Sequence, residues 1–185
     1  MAEVPELHAA QLAAAYYGER QGGDLHDFVR VTPNRVLFGL LDMAGRLEEN
    51  SAIVSAAQQT FRTRSQELFS AEDVNEADAM AELCLELNRA IMAAEGGIRS
   101  CPAFAGCYNE DLGTICYFNA GHTPGLLRDL SGITELSATV CLWDFFRMPP
   151  ARLPWSPCLP AQPFSWFPEV CLRAGAGARN SGWSG

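Results

Sequence analysis

The stretch "GGDLHDFVRVTPNRVLFGLLDMAG", Gly22 to Gly45, holds two β-prone runs, "LHDFVRV" and "RVLFGLLD", broken by Thr32-Pro33-Asn34. Pro and Asn suit a tight turn, and the flanking runs are rich in β-branched, aromatic and aliphatic residues. The stretch therefore reads as a β-hairpin. With the turn centred on Pro33 and Asn34, residues whose numbers sum to about 67 lie opposite each other. Asp24 then faces Met43, and Leu25 faces Asp42. That gathers Asp24, Asp27 and Asp42 at the open end of the hairpin, and which of them share a face depends on the register. Like charges this close repel unless a cation lies between them. Ligands made only of oxygen favour Mg²⁺, Mn²⁺ or Ca²⁺ over zinc. The plainer reading is three exposed acids flanking turns in an acidic protein.

Outside the hairpin the patterns alternate in type. "AQLAAAYY" (Ala10 to Tyr17) reads as a buried strand. "ENSAIVSAAQQTFRTRSQELF" brings Ile53, Ala57, Phe61 and Leu68 towards one helical face. Asn75 is a good N-cap, and the helix after it lines up Ala77, Met80, Ala81, Cys84, Leu87 and Ile91 before Gly96-Gly97. Met80 and Met92 read as core filler. "AFAGCYN" and "TICYFNAG" flank Glu110 to Gly113, and "GLLRD" and "GITEL" flank Leu130-Ser131, giving two further hairpins. Strands, two long helices and then more strands make an α+β layered domain, not a βαβ repeat. No Gly-rich phosphate loop of the Walker or dinucleotide type is present.

At 185 residues the chain is long enough for one domain with a sizeable core. Its net charge of −9 argues against binding a phosphate backbone, so no nucleic-acid partner is expected. No apolar run is long enough to span a bilayer, and no basic region precedes an apolar N-terminal stretch. The expectation is a cytoplasmic protein with no membrane partner. The seven cysteines include no C-x-x-C pair and read as buried reduced thiols.

The composition shifts near Thr139. Residues 1–139 carry 20 of the 22 acids, whereas residues 140–185 hold all four Trp and seven of the eleven Pro. The expected division is a folded domain over 1–139 and an atypical, loosely packed tail over 140–185, because Pro at that spacing denies both helix and central strand. A change of reading frame near Thr139 to Cys141 would produce such a shift, and translating the gene in the other two frames tests that.

Taken in order, "GGDLHDF", "LFGLLDMAG", a long helix, "LNRAI" and "CYFNAGHTPGLL" resemble the metal-dependent protein phosphatase 2C superfamily. The resemblance is to its bacterial branch of sporulation stage II protein E and sigma-regulator phosphatases, and it runs from about Leu12 to Leu136. It implies a phosphatase 2C-like layered sandwich of two antiparallel β-sheets flanked by helices, its C-terminal part incomplete here. It also implies hydrolysis of phosphoserine or phosphothreonine by a water bridging two Mn²⁺ or Mg²⁺ ions, with that metal-bound water as the catalytic group. The implied partner is a phosphorylated regulatory protein such as an anti-sigma-factor antagonist.

Matched motif by motif, Asp24 and Asp42 would be metal ligands, with the backbone carbonyl of Met43 a further oxygen. Gly22 and Gly23 would let the backbone turn tightly beside the ions, and Asp27 would be structural or support the ligands from behind. His26 stands as a metal ligand or a sheet-face histidine, and Arg46 as a phosphate contact or a solvated helix start. Asn119, Gly121 and His122 would shape a strand-to-strand turn, with His122 as proton donor to the leaving serine the alternative. The family's late Asp-Gly metal ligand has no counterpart, since only Asp144 and Glu169 follow Glu135. A second functional reading is therefore a non-catalytic regulatory or binding module on the same fold.

Overall fold

The computed structural model describes residues 5–7, 10–14, 24–43, 47–94, 101–129, 132–139, 159–160 and 170–174. Strands β1 (Ala10–Ala14), β2 (Leu25–Thr32) and β3 (Arg35–Leu41) precede helices α1 (Leu47–Phe69) and α2 (Glu76–Ala93). Then come β4 (Ala103–Asn109), β5 (Thr114–Ala120), β6 (Gly125–Asp129), β7 (Gly132–Leu136), β8 (Leu159–Pro160) and β9 (Val170–Ala174). The main sheet has the order β2-β3-β4-β5-β8, and β1-β9 and β6-β7 form two-stranded sheets. Every one of these pairings is antiparallel. The α+β layered architecture expected from the sequence is the one found. Residues 140–185, where the Pro spacing was expected to deny helix and central strand, supply β8 at the edge of the main sheet beside β5 and β9 beside β1. Pro160 sits on an edge strand, where its missing N–H leaves no gap in the ladder.

The hairpin register differs from the expected one. Leu25 faces Leu41, His26 faces Leu40, Asp27 faces Gly39 and Phe28 faces Phe38. Only Thr32↔Arg35, beside the turn, keeps the expected sum; the register shifts between Arg30 and Thr32. An extra residue in one strand displaces everything beyond it by one position, which a turn-centred count cannot anticipate.

Because side chains alternate along a strand, the main sheet has two faces of unlike content. One carries Leu25, Leu37, Leu41, Ala103, Ala105, Cys107, Cys116, Phe118 and Ala120, and these join the helices in the principal core. From α1 come Ile53, Ala57, Phe61 and Phe69, and from α2 Met80, Leu83, Cys84, Leu87 and Ile91. The α1 stripe thus runs to Ser65 and Phe69, both fully buried, with Leu68 only partly covered. On α2, Ala77 and Ala81 are half-buried while Ala79 and Leu83 are buried. Met80 is core, but Met92 is 38% exposed and fills nothing. The opposite face stacks Phe38 on Phe104 and Phe104 on Tyr117, with ring centroids 6.2 and 5.6 Å apart.

A buried charged clamp at the start of β3 joins both helices to the sheet. Asn75 caps α2 as expected, accepting from the amides of Ala77 and Asp78 at 3.1 and 3.3 Å. Arg35, at the start of β3, donates to Glu76 Oε1 (2.9 Å) and to the carbonyls of Ala71 (2.7 Å), Glu72 (2.9 Å) and Phe69 (3.4 Å). The last carbonyls of a helix lack partners within it, and its C-terminal end favours a cation. Arg35 supplies both needs for α1, which has no basic residue in its own last turn.

Candidate functional site at the end of the main sheet

Continuing the β2–β3 register one step beyond Leu25↔Leu41 sets Asp24 level with Asp42. The expected pairings of Asp24 with Met43 and Leu25 with Asp42 are thereby replaced by a direct juxtaposition of the two carboxylate residues. Asp42 is fixed to the next strand by its amide, which donates to the carbonyl of Pro102 at 2.9 Å. Both acids are solvent-exposed, whereas Met43 beside them is 4% exposed. Their proximity is felt by Cys101, a buried thiol just before β4. Its pKa is pushed up to about 12, first by burial and then by the negative charges of Asp42 and Asp24. A thiolate at that position would face two like charges with little water to screen them.

Asp27 separates from the other two. It lies opposite Gly39 on the face towards α1 and is 1% exposed. Arg62 donates to it through Nε (2.6 Å) and an η-nitrogen (3.0 Å), and Gln58 adds a third bond at 3.2 Å. This bidentate fork raises the pKa of Arg62 through the hydrogen bonds and the carboxylate charge. Asp27 therefore ties β2 to α1 and uses both its oxygens in doing so. Nothing local in the sequence marks Arg62 as its partner, 35 residues away.

At the far side of the same sheet end stands the turn after β5. Asn119 is wholly buried; its side chain donates to the Leu136 carbonyl (3.3 Å) and accepts from the His122 amide (2.9 Å). Thr139 closes over it, its amide donating to the Asn119 carbonyl at 2.9 Å and its hydroxyl accepting from the Asn119 amide at 2.9 Å. Gly121 has φ +72° and bridges to Ala103. A residue with a Cβ is strained in that left-handed region, which explains glycine at the bend. His122 is half-buried, its Nδ1 3.0 Å from the Thr123 hydroxyl and 3.2 Å from the Thr123 carbonyl.

His26 stands on β2 opposite Leu40, its ring edge-on to Phe28 with centroids 6.4 Å apart. Gly22, Gly23 and Arg46 lie outside the described residues. Among the described residues no group of three or more His, Cys, Asp and Glu side chains is arranged to hold a metal ion. What the fold brings together is two carboxylates and the nearby Met43 carbonyl. These are hard oxygen donors, suited to a divalent cation of the Mg²⁺ or Mn²⁺ type that keeps several waters. They fit one such ion more fully than two.

The fold is the phosphatase 2C-like layered one that the motifs implied. Residues 32–140 match the family model of Stage II sporulation protein E, SpoIIE, which covers more than half of the chain. The chain belongs to that family, as its motifs led one to expect. No curated protein matches it.

Among solved structures, the RsbU and RsbW domains of a Mycobacterium tuberculosis protein superpose with a TM-score of 0.53 at 20% identity. That match covers 89% of this chain and 40% of the other, so the present chain spans well under half of that relative. RsbX in complex with magnesium gives a TM-score of 0.48 at 16% identity, covering 95% and 73%. The PP2C phosphatase domain of Bacillus subtilis SpoIIE with part of its regulatory domain gives 0.47 at 12%, covering 72% and 36%. No helix among the described residues is long and apolar enough to cross a membrane.

Proposed function

We propose that this chain is a metal-dependent serine phosphatase that dephosphorylates a regulatory protein of a sigma-factor pathway, such as an anti-sigma-factor antagonist. The observation that carries the reading is the β2–β3 register, which sets Asp24 beside Asp42 at the end of the main sheet. Family membership and the magnesium complex of the RsbX relative support it. Asp24, Asp42 and the carbonyl of Met43 are the residues that would hold Mn²⁺ or Mg²⁺. When bound, such an ion polarises a phosphoryl oxygen and makes a water nucleophilic near neutral pH. The chain's own contribution is to hold the two carboxylates against each other. It anchors Asp42 through Pro102 and keeps Met43 and Cys101 buried near the pair.

A second reading, a non-catalytic regulatory or binding module, is favoured by the small donor set among the described residues. Hydrolysis of p-nitrophenyl phosphate and of a phosphoserine peptide, with and without Mn²⁺, separates the two. The phosphatase reading expects turnover that depends on Mn²⁺ and falls to the metal-free background in Asp24→Asn and Asp42→Asn. Equal rates in wild type and both variants would sink it and leave the binding module.

A further inference from the structure

Cys107 on β4 and Cys116 on β5 face each other across the ladder. Residues directly opposite in an antiparallel pair share a face, and both thiols enter the principal core, wholly buried. The kind of pair they make follows from the hydrogen bonds at the two ends of β4. At one end the Glu110 amide donates to the Asn34 carbonyl at 2.7 Å, which makes Arg35↔Asn109 a non-hydrogen-bonded pair of β3 and β4. At the other the Asp42 amide donates to the Pro102 carbonyl, so Ala103, one residue on, turns the other way. Counted by twos from either end, the amide and carbonyl of Cys107 point towards β5. Asn119 agrees from β5, since its amide and carbonyl are bonded to Thr139 and not to Phe104 opposite.

Cys107↔Cys116 is therefore a hydrogen-bonded pair, with Cα atoms about 5.5 Å apart. A disulfide accepts Cα separations of about 4.4–6.8 Å, so the two are within bonding reach. Their Cβ atoms, about 4.5–5.5 Å apart in such a ladder, are wider than the roughly 3.8 Å of a relaxed disulfide. Closure is possible but strained, and strained disulfides are the readily reduced ones. The pair also lies only two positions inside Asn109↔Thr114, where the ladder ends at its turn. Opening that end locally costs less than unfolding the domain, and admits a small oxidant.

We propose that Cys107 and Cys116 form a reversible cross-strand disulfide, closed by a peroxide and opened by a small thiol. One cysteine, as thiolate, attacks a peroxide oxygen; the O–O bond breaks, leaving a sulfenic acid on sulfur and releasing water once the departing oxygen is protonated. The second thiolate attacks the sulfenic sulfur, the S–O bond breaks, and that oxygen also leaves as water. Two thiols and one hydrogen peroxide thus give one disulfide and two waters. Two glutathione thiols reverse the bond by exchange and end as glutathione disulfide. The closed bond ties β4, which anchors Asp42 through Pro102, to β5, which carries Asn119 and the turn it holds.

The test treats the full native chain with hydrogen peroxide, removes the oxidant, and alkylates the remaining thiols under denaturing conditions before digestion and mass spectrometry. The expected result is a linked peptide joining Cys107 to Cys116, lighter by two hydrogens than its parts, with the alkylated forms of both lost in equal amount. Cys84 and Cys101, in the same core but off this ladder, should stay alkylatable. Millimolar glutathione should restore both thiols. Cys107→Ala should leave no linked peptide containing Cys116, and Cys116→Ala none containing Cys107. The wild-type map stands on its own should either variant fold poorly. Linkage of Cys107 or Cys116 to any other cysteine, persistence of both as thiols, oxidation of either to sulfinic acid without linkage, or a bond that survives glutathione would each overturn the proposal.

Discussion

Removing Glu76 isolates the buried charge that joins the helix pair to the sheet. The Arg35 and Glu76 side chains are each 8% exposed, and Glu76 Oε1 accepts from Arg35 Nε at 2.9 Å and from Asn109 Nδ2 at 2.6 Å. Glu76→Ala leaves a guanidinium without its counter-charge, a loss of about 3–5 kcal/mol for a buried pair. The carbonyls of Phe69, Ala71 and Glu72 still hold Arg35, which moves the charge term towards the lower end of that range. The Asn109 side chain also loses its acceptor, at about 1–3 kcal/mol for a buried polar group. A total near 4 kcal/mol follows, a large part of the roughly 5–15 kcal/mol that stabilises a domain. Glu76→Gln restores an acceptor oxygen but no charge and should cost about half as much. Arg35→Met combined with Glu76→Leu should recover much of the loss, since an apolar pair has no stranded charge. Urea unfolding followed by far-ultraviolet circular dichroism measures all three. A Glu76→Ala loss below about 1 kcal/mol, the value of an exposed ion pair, would refute the reasoning.

Two further expectations concern packing and pH. A Cβ at Gly106 would meet Phe38 Cζ at 2.5 Å, and Phe38 is held by its stack on Phe104, so Gly106→Ala should destabilise by about 1–3 kcal/mol; an unchanged or raised melting temperature would contradict it. Burial pushes the Cys84 thiol up to about 12 from an ordinary value of 9.0. Between those values the unfolded chain releases a proton that the folded chain keeps. The stability from Cys84 is therefore complete below about pH 9 and is lost as pH rises towards 12. The urea midpoint should fall between about pH 8 and pH 10.5, and less steeply in Cys84→Ala; an identical slope in the variant would count against it.

Local patterns carried the strand-rich hairpins, the two helices and the cap at Asn75, because period, turn chemistry and capping are written in neighbouring residues. The same is true of the family, whose motifs from "GGDLHDF" to "CYFNAGHTPGLL" are short runs in a fixed order. The α1 stripe was legible as far as Phe61, beyond which the buried positions continue at every fourth residue, through Ser65 to Phe69, and leave Leu68 only partly covered. Met92 shows the opposite limit: an apolar residue near a helix end has no obligation to be buried.

What the sequence alone determined, then, is the strands and helices from β1 to β7 and which acids stand at the mouth of the hairpin. Only the tertiary structure decided how those acids are divided. The shift between Arg30 and Thr32 brings Asp24 level with Asp42 and turns Asp27 to the helices, where Arg62 takes both its oxygens. It likewise set Cys101 beside the carboxylate pair and carried His122 to the same sheet end. The reason is that a strand's face changes with every residue. A one-residue shift, selected by the burial of the whole hairpin against the helices and β4, reassigns every side chain in it.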